Sequence, residues 1–264
     1  MRVELSPQPH VTIKFPQDTY DAVERLYGAK ICPYFPNYGK FWELFIGRDA
    51  STNSHRWYPF QFPPSTAASE KKRISKWREE LCMAHYSLFC NLAGAHFQSE
   101  ELKKALAESK TQETFFKHWE HFECFYIRIG NCFYQMQHLW DIIPKFADSH
   151  GSIPQFSKQK ALVKKWHERF KILRDNLVHY SRVAHRQMEN AYYIPKRVRP
   201  GDIKKGVMEL WSSQLKRKQW QRTDTRLRID LAFAERALNR IHGMLIREFK
   251  KILSSRGIKV RRVP

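Results

Sequence analysis

Residues 111–143, TQETFFKHWEHFECFYIRIGNCFYQMQHLWDII, contain no proline and are apolar around much of the helical girth. A helix that is hydrophobic on most sides must be surrounded by other elements. This stretch therefore predicts a buried central helix and demands further helices to cover it. The chain supplies them. STAASEKKRISKWREELCMAHYSLFCNLAGAHF, from residue 65, offers Ser65 or Ser69 as a cap. Its apolar stripe runs through Ile74, Trp77, Leu81, Ala84, Leu88 and Leu92. A short helix over about 98–108 is expected to follow. Another runs from about Ser157 to Arg182, with Leu162, Trp166, Leu173, Leu177 and Tyr180 inward. One more lies near 202–217. The last, about 224–254, carries Leu227, Leu231, Ala234, Leu238, Ile241, Leu245 and Ile252 at heptad-like spacing. It is long enough for both an intrachain seam and a dimer contact. The fold class that follows is all-α: a helical bundle over 67–264, interrupted by an insert at 183–223.

Residues 1–66 read as an irregular N-terminal extension. Residues 2–5 and 10–15 look weakly strand-like, and 17–28 like a short helix. The stretch 29–66 has five prolines, which exclude a long helix. Its aromatics, as in CPYFPNYGKFWELF and RWYPFQFPPST, predict that it wraps onto the helical body. Little strand is expected outside the first twenty residues.

The formal charge is +21, and it is lopsided. Residues 1–154 hold 18 Lys and Arg against 17 Asp and Glu; residues 155–264 hold 29 against 9. Excess charge confined to one half points to a polyanionic partner, most simply nucleic acid. The five cysteines, Cys32, Cys82, Cys90, Cys124 and Cys132, form no C-x-x-C pair, so reduced core thiols are expected. No apolar leader and no run of about 18 apolar residues is present, so a cytoplasmic protein without a membrane partner is expected. Walker A, dinucleotide-binding and G-x-S-x-G motifs are absent.

Within the basic half stands LRDNLVHYSR, residues 173–182. Asp175 and His179 are four apart and share a helix face, where a carboxylate orients an imidazole and fixes its tautomer. Arg174 is flanked on its own face by Phe170 and Val178, so its guanidinium needs an anion. That anion is either an acid from another helix or a phosphate. The bland alternative is a surface Asp–His pair and an ordinary arginine ion pair. Loose Arg-x(4–6)-His spacing also occurs at Arg48…His55, Arg78…His85 and Arg236…His242. Requiring Asn, Asp or His after the arginine leaves only Arg174 and Arg48. Arg48-Asp49 falls in GRDASTNSH, which reads as a loop, so Arg174 ranks first.

Arg174-Asp175-Asn176-Leu177-Val178-His179 resembles the defining motif of the HEPN superfamily, an arginine followed by a polar residue, with four to six residues between the arginine and a histidine. The surroundings are similar too: a motif late in one long helix, then an insert, then a last long helix. The resemblance covers about 67–256. It implies a metal-independent endoribonuclease without cofactor, in which two protomers bring two Arg/His pairs into one cleft. In that scheme His179 acts as general base on a ribose 2′-OH or as general acid at the leaving 5′-oxygen. Arg174 stabilises the phosphate charge, and Asp175 tunes His179. A toxin or antiphage effector follows, partnered by RNA, by a second copy, and by an antitoxin or other regulatory protein. One departure stands out: Ser181 holds the place where toxins with nucleotidyltransferase antitoxins carry a tyrosine, and Tyr180 comes one earlier.

The expected RNA contacts are Arg182, Arg186, Arg197, Arg199, Lys204, Lys205, Lys216, Arg217, Lys218 and the stacking ring of Trp220, with Tyr192 and Tyr193 as further rings. The alternative function is a catalytically silent helical module that holds RNA or an effector complex through the same basic half. A scaffold whose basic face meets an acidic protein is a third. HWEH, with His118, His121 and then Cys124, has the spacing of a metal-binding face, but in so apolar a helix core polar residues are the expectation, and no metal site is assigned.

Overall fold

The computed structural model describes residues 37–42, 44, 46–49, 54–57, 60–108, 111–147, 157–171, 193–195 and 220–260. Their order is α1 (Asn37–Trp42), β1 (Ile46–Asp49), β2 (Ser54–Trp57), β3 (Phe60–Gln61), α2 (Ala68–Ala107), α3 (Gln112–Ile142), α4 (157–171), β4 (Tyr193–Pro195), β5 (Trp220–Arg222), α5 (Thr223–Ser255) and β6 (Lys259–Val260). Among the described residues the protein is all-α apart from three two-stranded ladders. The strands and helix expected before residue 29, and the helix near 202–217, lie outside the described residues.

Helix α3 is the expected central element. Thr111 caps it: the Thr114 N–H donates to Thr111 Oγ1 (3.2 Å), and the Thr111 N–H donates to Thr114 Oγ1 (2.9 Å). Two otherwise orphaned donors are thus satisfied reciprocally. Phe122, Phe125, Tyr126, Ile129, Phe133, Met136, Leu139 and Trp140 are all fully buried and share one broad face of the helix, while Phe116 and Tyr134 on the other side are exposed.

Contacts between side chains give the helix directions. Gln98 meets His121, Asn91 meets Arg128 and Asn131, and Glu80 meets His138, so α2 and α3 run antiparallel. Lys160 pairs with Asp141, Tyr134 faces His167, and Phe133 stacks on Phe170 (5.1 Å), so α4 also runs against α3. His118 meets Thr223 and Tyr126 meets Asp230, so α5 runs with α3. The result is an up-down-up-down bundle with α3 and α5 in the middle.

Two expectations are corrected in α2. It begins at Ala68 with Ala67 as N-cap and no side-chain cap, not on Ser65 or Ser69. The chain enters from a tight turn in which the Thr66 N–H reaches Pro63 O, and Glu70 in the first turn is held by Arg256. Nor does the helix break at residue 98. Gln98-Ser99-Glu100-Glu101 looks like a new start, yet Leu92, Ala95, Ser99, Leu102 and Ala105 are all buried. Their three- and four-residue spacing carries one stripe across the apparent cap.

The extension is fastened at two points. Phe41 of α1 is fully buried and stacks on His85 of α2 (3.8 Å), beside His242 of α5 (5.4 Å). Asn37 Nδ2 donates to Asn239 O (2.8 Å), and a side chain at Gly243 would come within 3.0 Å of that Asn37 nitrogen. The second fastening is the β3–β6 ladder, Phe60 opposite Val260. Gly257 makes it possible: the Gly257 N–H reaches Ser254 O, the Ile258 N–H reaches Leu253 O (2.9 Å), and Gly257 sits at φ +64°. This is a Schellman ending, which favours glycine. The strands among the described residues are two to four residues long, in keeping with little strand outside the first twenty residues. Each ladder is a clip between chain segments rather than part of a sheet.

Candidate functional site

The described part of α4 ends three residues before Arg174, and its last turn is the best-held part of the helix. Phe170 is fully buried, stacked on Phe133 of α3 and tilted against Phe233 of α5 (6.1 Å). Trp166 sits edge-on to the same two rings. Arg169 lays its guanidinium over Phe233, 4.5 Å from the ring centre.

Beneath that arginine is a buried polar cluster. Asp230 of α5 is 0% exposed and shares Oδ2 between two donors: Tyr126 Oη at 2.8 Å and Arg226 Nε at 2.6 Å. Asp230 Oδ1 accepts no hydrogen bond and lies 3.9 Å from Arg169 Nη2. Burial pushes the Tyr126 phenol well above its ordinary pKa, and the negative charge of Asp230 adds to the rise. For Arg226, burial works to lower the pKa. The charges of Tyr126 and Asp230 and the hydrogen bonds outweigh it, so the net shift is upward and the guanidinium stays charged.

About two helical turns away, His118 and Thr223 Oγ1 meet at 2.7 Å, joining α3 to the start of α5. Immediately before Thr223 comes the β4–β5 ladder, with Tyr193 opposite Arg222, Ile194 opposite Gln221 and Pro195 opposite Trp220. The ladder brings together the two ends of residues 196–219, a stretch with eight Lys and Arg against two acids.

Most of the residues singled out in the sequence fall outside the described residues: Arg174, Asp175, His179, Arg182, Arg186, Arg197, Arg199, Lys204, Lys205, Lys216, Arg217 and Lys218. Trp220 is in β5. The Arg48 segment corrects the loop reading. Its two halves pair as the antiparallel hairpin β1–β2, with Arg48 directly opposite His55 and Asp49 opposite Ser54. The ladder opens on Ile46 opposite Trp57, an apolar cross-strand pair. In the HWEH helix, His118 turns to Thr223 and His121 to Gln98 (2.7 Å), on different neighbouring helices. Among the described residues no group of His, Cys, Asp and Glu could hold a metal ion. The cluster of Tyr126, Asp230, Arg226 and Arg169 was not picked out from the sequence. Its one signal was the Arg226–Asp230 spacing of four on an otherwise apolar face.

No family model matches this chain, and neither a curated protein nor a solved structure is matched. Among the described residues, no helix is long and apolar enough to cross a membrane.

The buried histidines set an acid limit. Burial lowers the pKa of His118 to about 4, helped by the charge of His121. Burial lowers His242 to about 3, and it holds His85 well below its ordinary value, with His242 adding to the effect. An unfolded histidine takes up its proton near pH 6.5. Between there and about pH 4 the unfolded chain therefore binds more protons than the folded one. The stability these groups contribute is complete above pH 6.5 and is lost as the pH falls through that window, by up to about 1.4 kcal/mol per pH unit for each histidine. Urea midpoints measured from pH 7.5 to 4.5 should fall steeply below 6.5. His118→Gln should flatten the fall, and a parallel curve in that variant would refute the assignment.

Proposed function

We propose that this chain is a metal-independent endoribonuclease of HEPN type, acting as a toxin or antiphage effector on RNA. One observation carries the reading: Arg174, Asp175 and His179 stand in the order and spacing of the motif they resemble, in which the histidine acts as general base or acid and the arginine stabilises charge on the phosphate. The firm seating of the preceding turn, through Phe170 and Trp166 between the two middle helices, supports it. A motif that must hold a proton acceptor to within a fraction of an ångström gains from a rigid lead-in. The chemistry is attack by the internal 2′-OH, with His179 taking its proton and Arg174 meeting the charge on the phosphate. Two protomers would supply one cleft. Incubating RNA with wild type beside His179→Ala, in EDTA, tests the proposal.

The second reading is an RNA-holding module without catalysis, and the β4–β5 ladder favours it. The ladder joins the two ends of the basic residues 196–219 at the base of α5, and so many cations between paired ends suit a phosphate backbone. Neutralising Arg197, Arg199, Lys204, Lys205, Lys216, Arg217 and Lys218 together should weaken RNA binding whatever the sequence and flatten its salt dependence. Unchanged affinity would redirect attention to an acidic protein partner.

A further inference from the structure

We infer that Arg169 is an RNA phosphate-binding residue, a fixed anchor for the strand beside the proposed cleavage motif; the inference rests on the RNA reading above. Arg169 is about half exposed, with 47% of its side chain open to solvent. Among the described residues it makes no hydrogen bond. Its guanidinium is nevertheless placed: one face lies on Phe233, and Asp230 Oδ1 attracts it from 3.9 Å, too far for a hydrogen bond. Asp230 cannot neutralise it fully, because the same carboxylate is already engaged by Arg226 and Tyr126. The cluster therefore holds two guanidiniums against one carboxylate, and the surplus positive charge sits on the exposed member.

An arginine used only for stability would close on the carboxylate as a two-pronged pair. Here the guanidinium carbon rests 4.5 Å from the ring centre while about half of the side chain, 47%, stays open to solvent. That is the arrangement a phosphodiester needs: planar, oriented, already partly desolvated on one face, and with little side-chain entropy left to lose on binding. Arg169 precedes Arg174 by only five residues in the sequence.

The test uses the His179→Ala protein as the parent, so that RNA is not consumed, and a single-stranded RNA oligonucleotide titrated over a range of salt. Arg169→Gln should lower affinity several-fold and reduce the log–log salt slope by about 0.7, the value for one phosphate on a single strand. Arg169→Lys should keep most of the slope, because the charge remains. Phe233→Leu should weaken binding with the slope intact, because the charge stays and only its seat is lost. Unfolding midpoints are measured alongside. An Arg169→Gln protein with a lowered midpoint but the parental slope and affinity would show a purely structural ion pair and overturn the inference. A parent that binds no RNA would overturn it together with the RNA reading. If RNA is bound with the expected slope change while His179→Ala cleaves like wild type, the nuclease proposal alone fails.

Discussion

Arg174→Ala and His179→Ala should each slow RNA cleavage by at least about 100-fold, the usual scale for removing a general base or a charge stabiliser. Cleavage should persist in EDTA. The nucleophile is the adjacent 2′-OH, held next to phosphorus by the RNA itself, and His179 suffices to take its proton. It should fail on DNA, and on RNA carrying a single 2′-deoxy at the cut. The ends left should be a 2′,3′-cyclic phosphate and a 5′-OH. Both variants should stay folded and still bind RNA, since most phosphate contacts lie elsewhere. Asp175→Ala should cost less, because that group only orients the histidine. A composite cleft also requires a pair, so the mass in solution should be near twice 31.7 kDa. The hairpin provides the internal control. Arg48 and His55 stand opposite each other in register, yet their substitution should leave cleavage nearly unchanged. If those two prove essential while Arg174 and His179 are dispensable, the hairpin carries the chemistry. If all four variants cut like wild type, or no preparation cuts RNA, the assignment falls.

The bundle was legible because its signals are local and repetitive. The stripe Leu227, Leu231, Ala234, Leu238, Ile241, Leu245 and Ile252 is buried throughout, and α3 buries one broad apolar face while Phe116 and Tyr134 on its other side stay exposed. What escaped the reading depends on contacts between distant segments. Helix α2 runs through Gln98-Ser99-Glu100-Glu101 because its buried stripe outweighs a local cap signal. The short ladders were not foreseen, because a two-residue strand such as Phe60–Gln61 has no periodicity of its own and exists only where Gly257 turns Val260 beside it. The Tyr126–Asp230 bond spans 104 positions, so nothing local announced it. Asp230 and Arg226, read alone, are an ordinary i, i+4 surface pair. Only the packing of α3 against α5 makes them an interior one. The motif Arg174–His179 is the reverse: legible as sequence, and outside the described residues.

Asp230→Ala should destabilise the fold by roughly 3–5 kcal/mol, the scale for leaving one member of a buried ion pair uncompensated. The substitution removes the acceptor of both Arg226 Nε and Tyr126 Oη in a site where Arg226 is only 9% exposed. Arg169 cannot take over, being a cation itself. Against a typical total of about 5–15 kcal/mol, such a loss should pull the urea midpoint far down. Tyr126→Phe should cost much less, because Asp230 Oδ2 keeps its bond to Arg226 and only one neutral donor is lost. Asp230→Asn should fall between, since the amide oxygen can still accept but carries no charge. The decisive variant is the double change Arg226→Met with Asp230→Leu. If the cost of Asp230→Ala comes from a stranded guanidinium, removing both charges and filling the space should recover most of the stability, because two buried charges return little beyond their own desolvation. If the double variant is as unstable as Asp230→Ala, what matters is the volume and shape at position 230. If Asp230→Ala itself unfolds within about 1 kcal/mol of wild type, the carboxylate is not the counter-charge for Arg226, and α5 is held to α3 by its apolar seam alone.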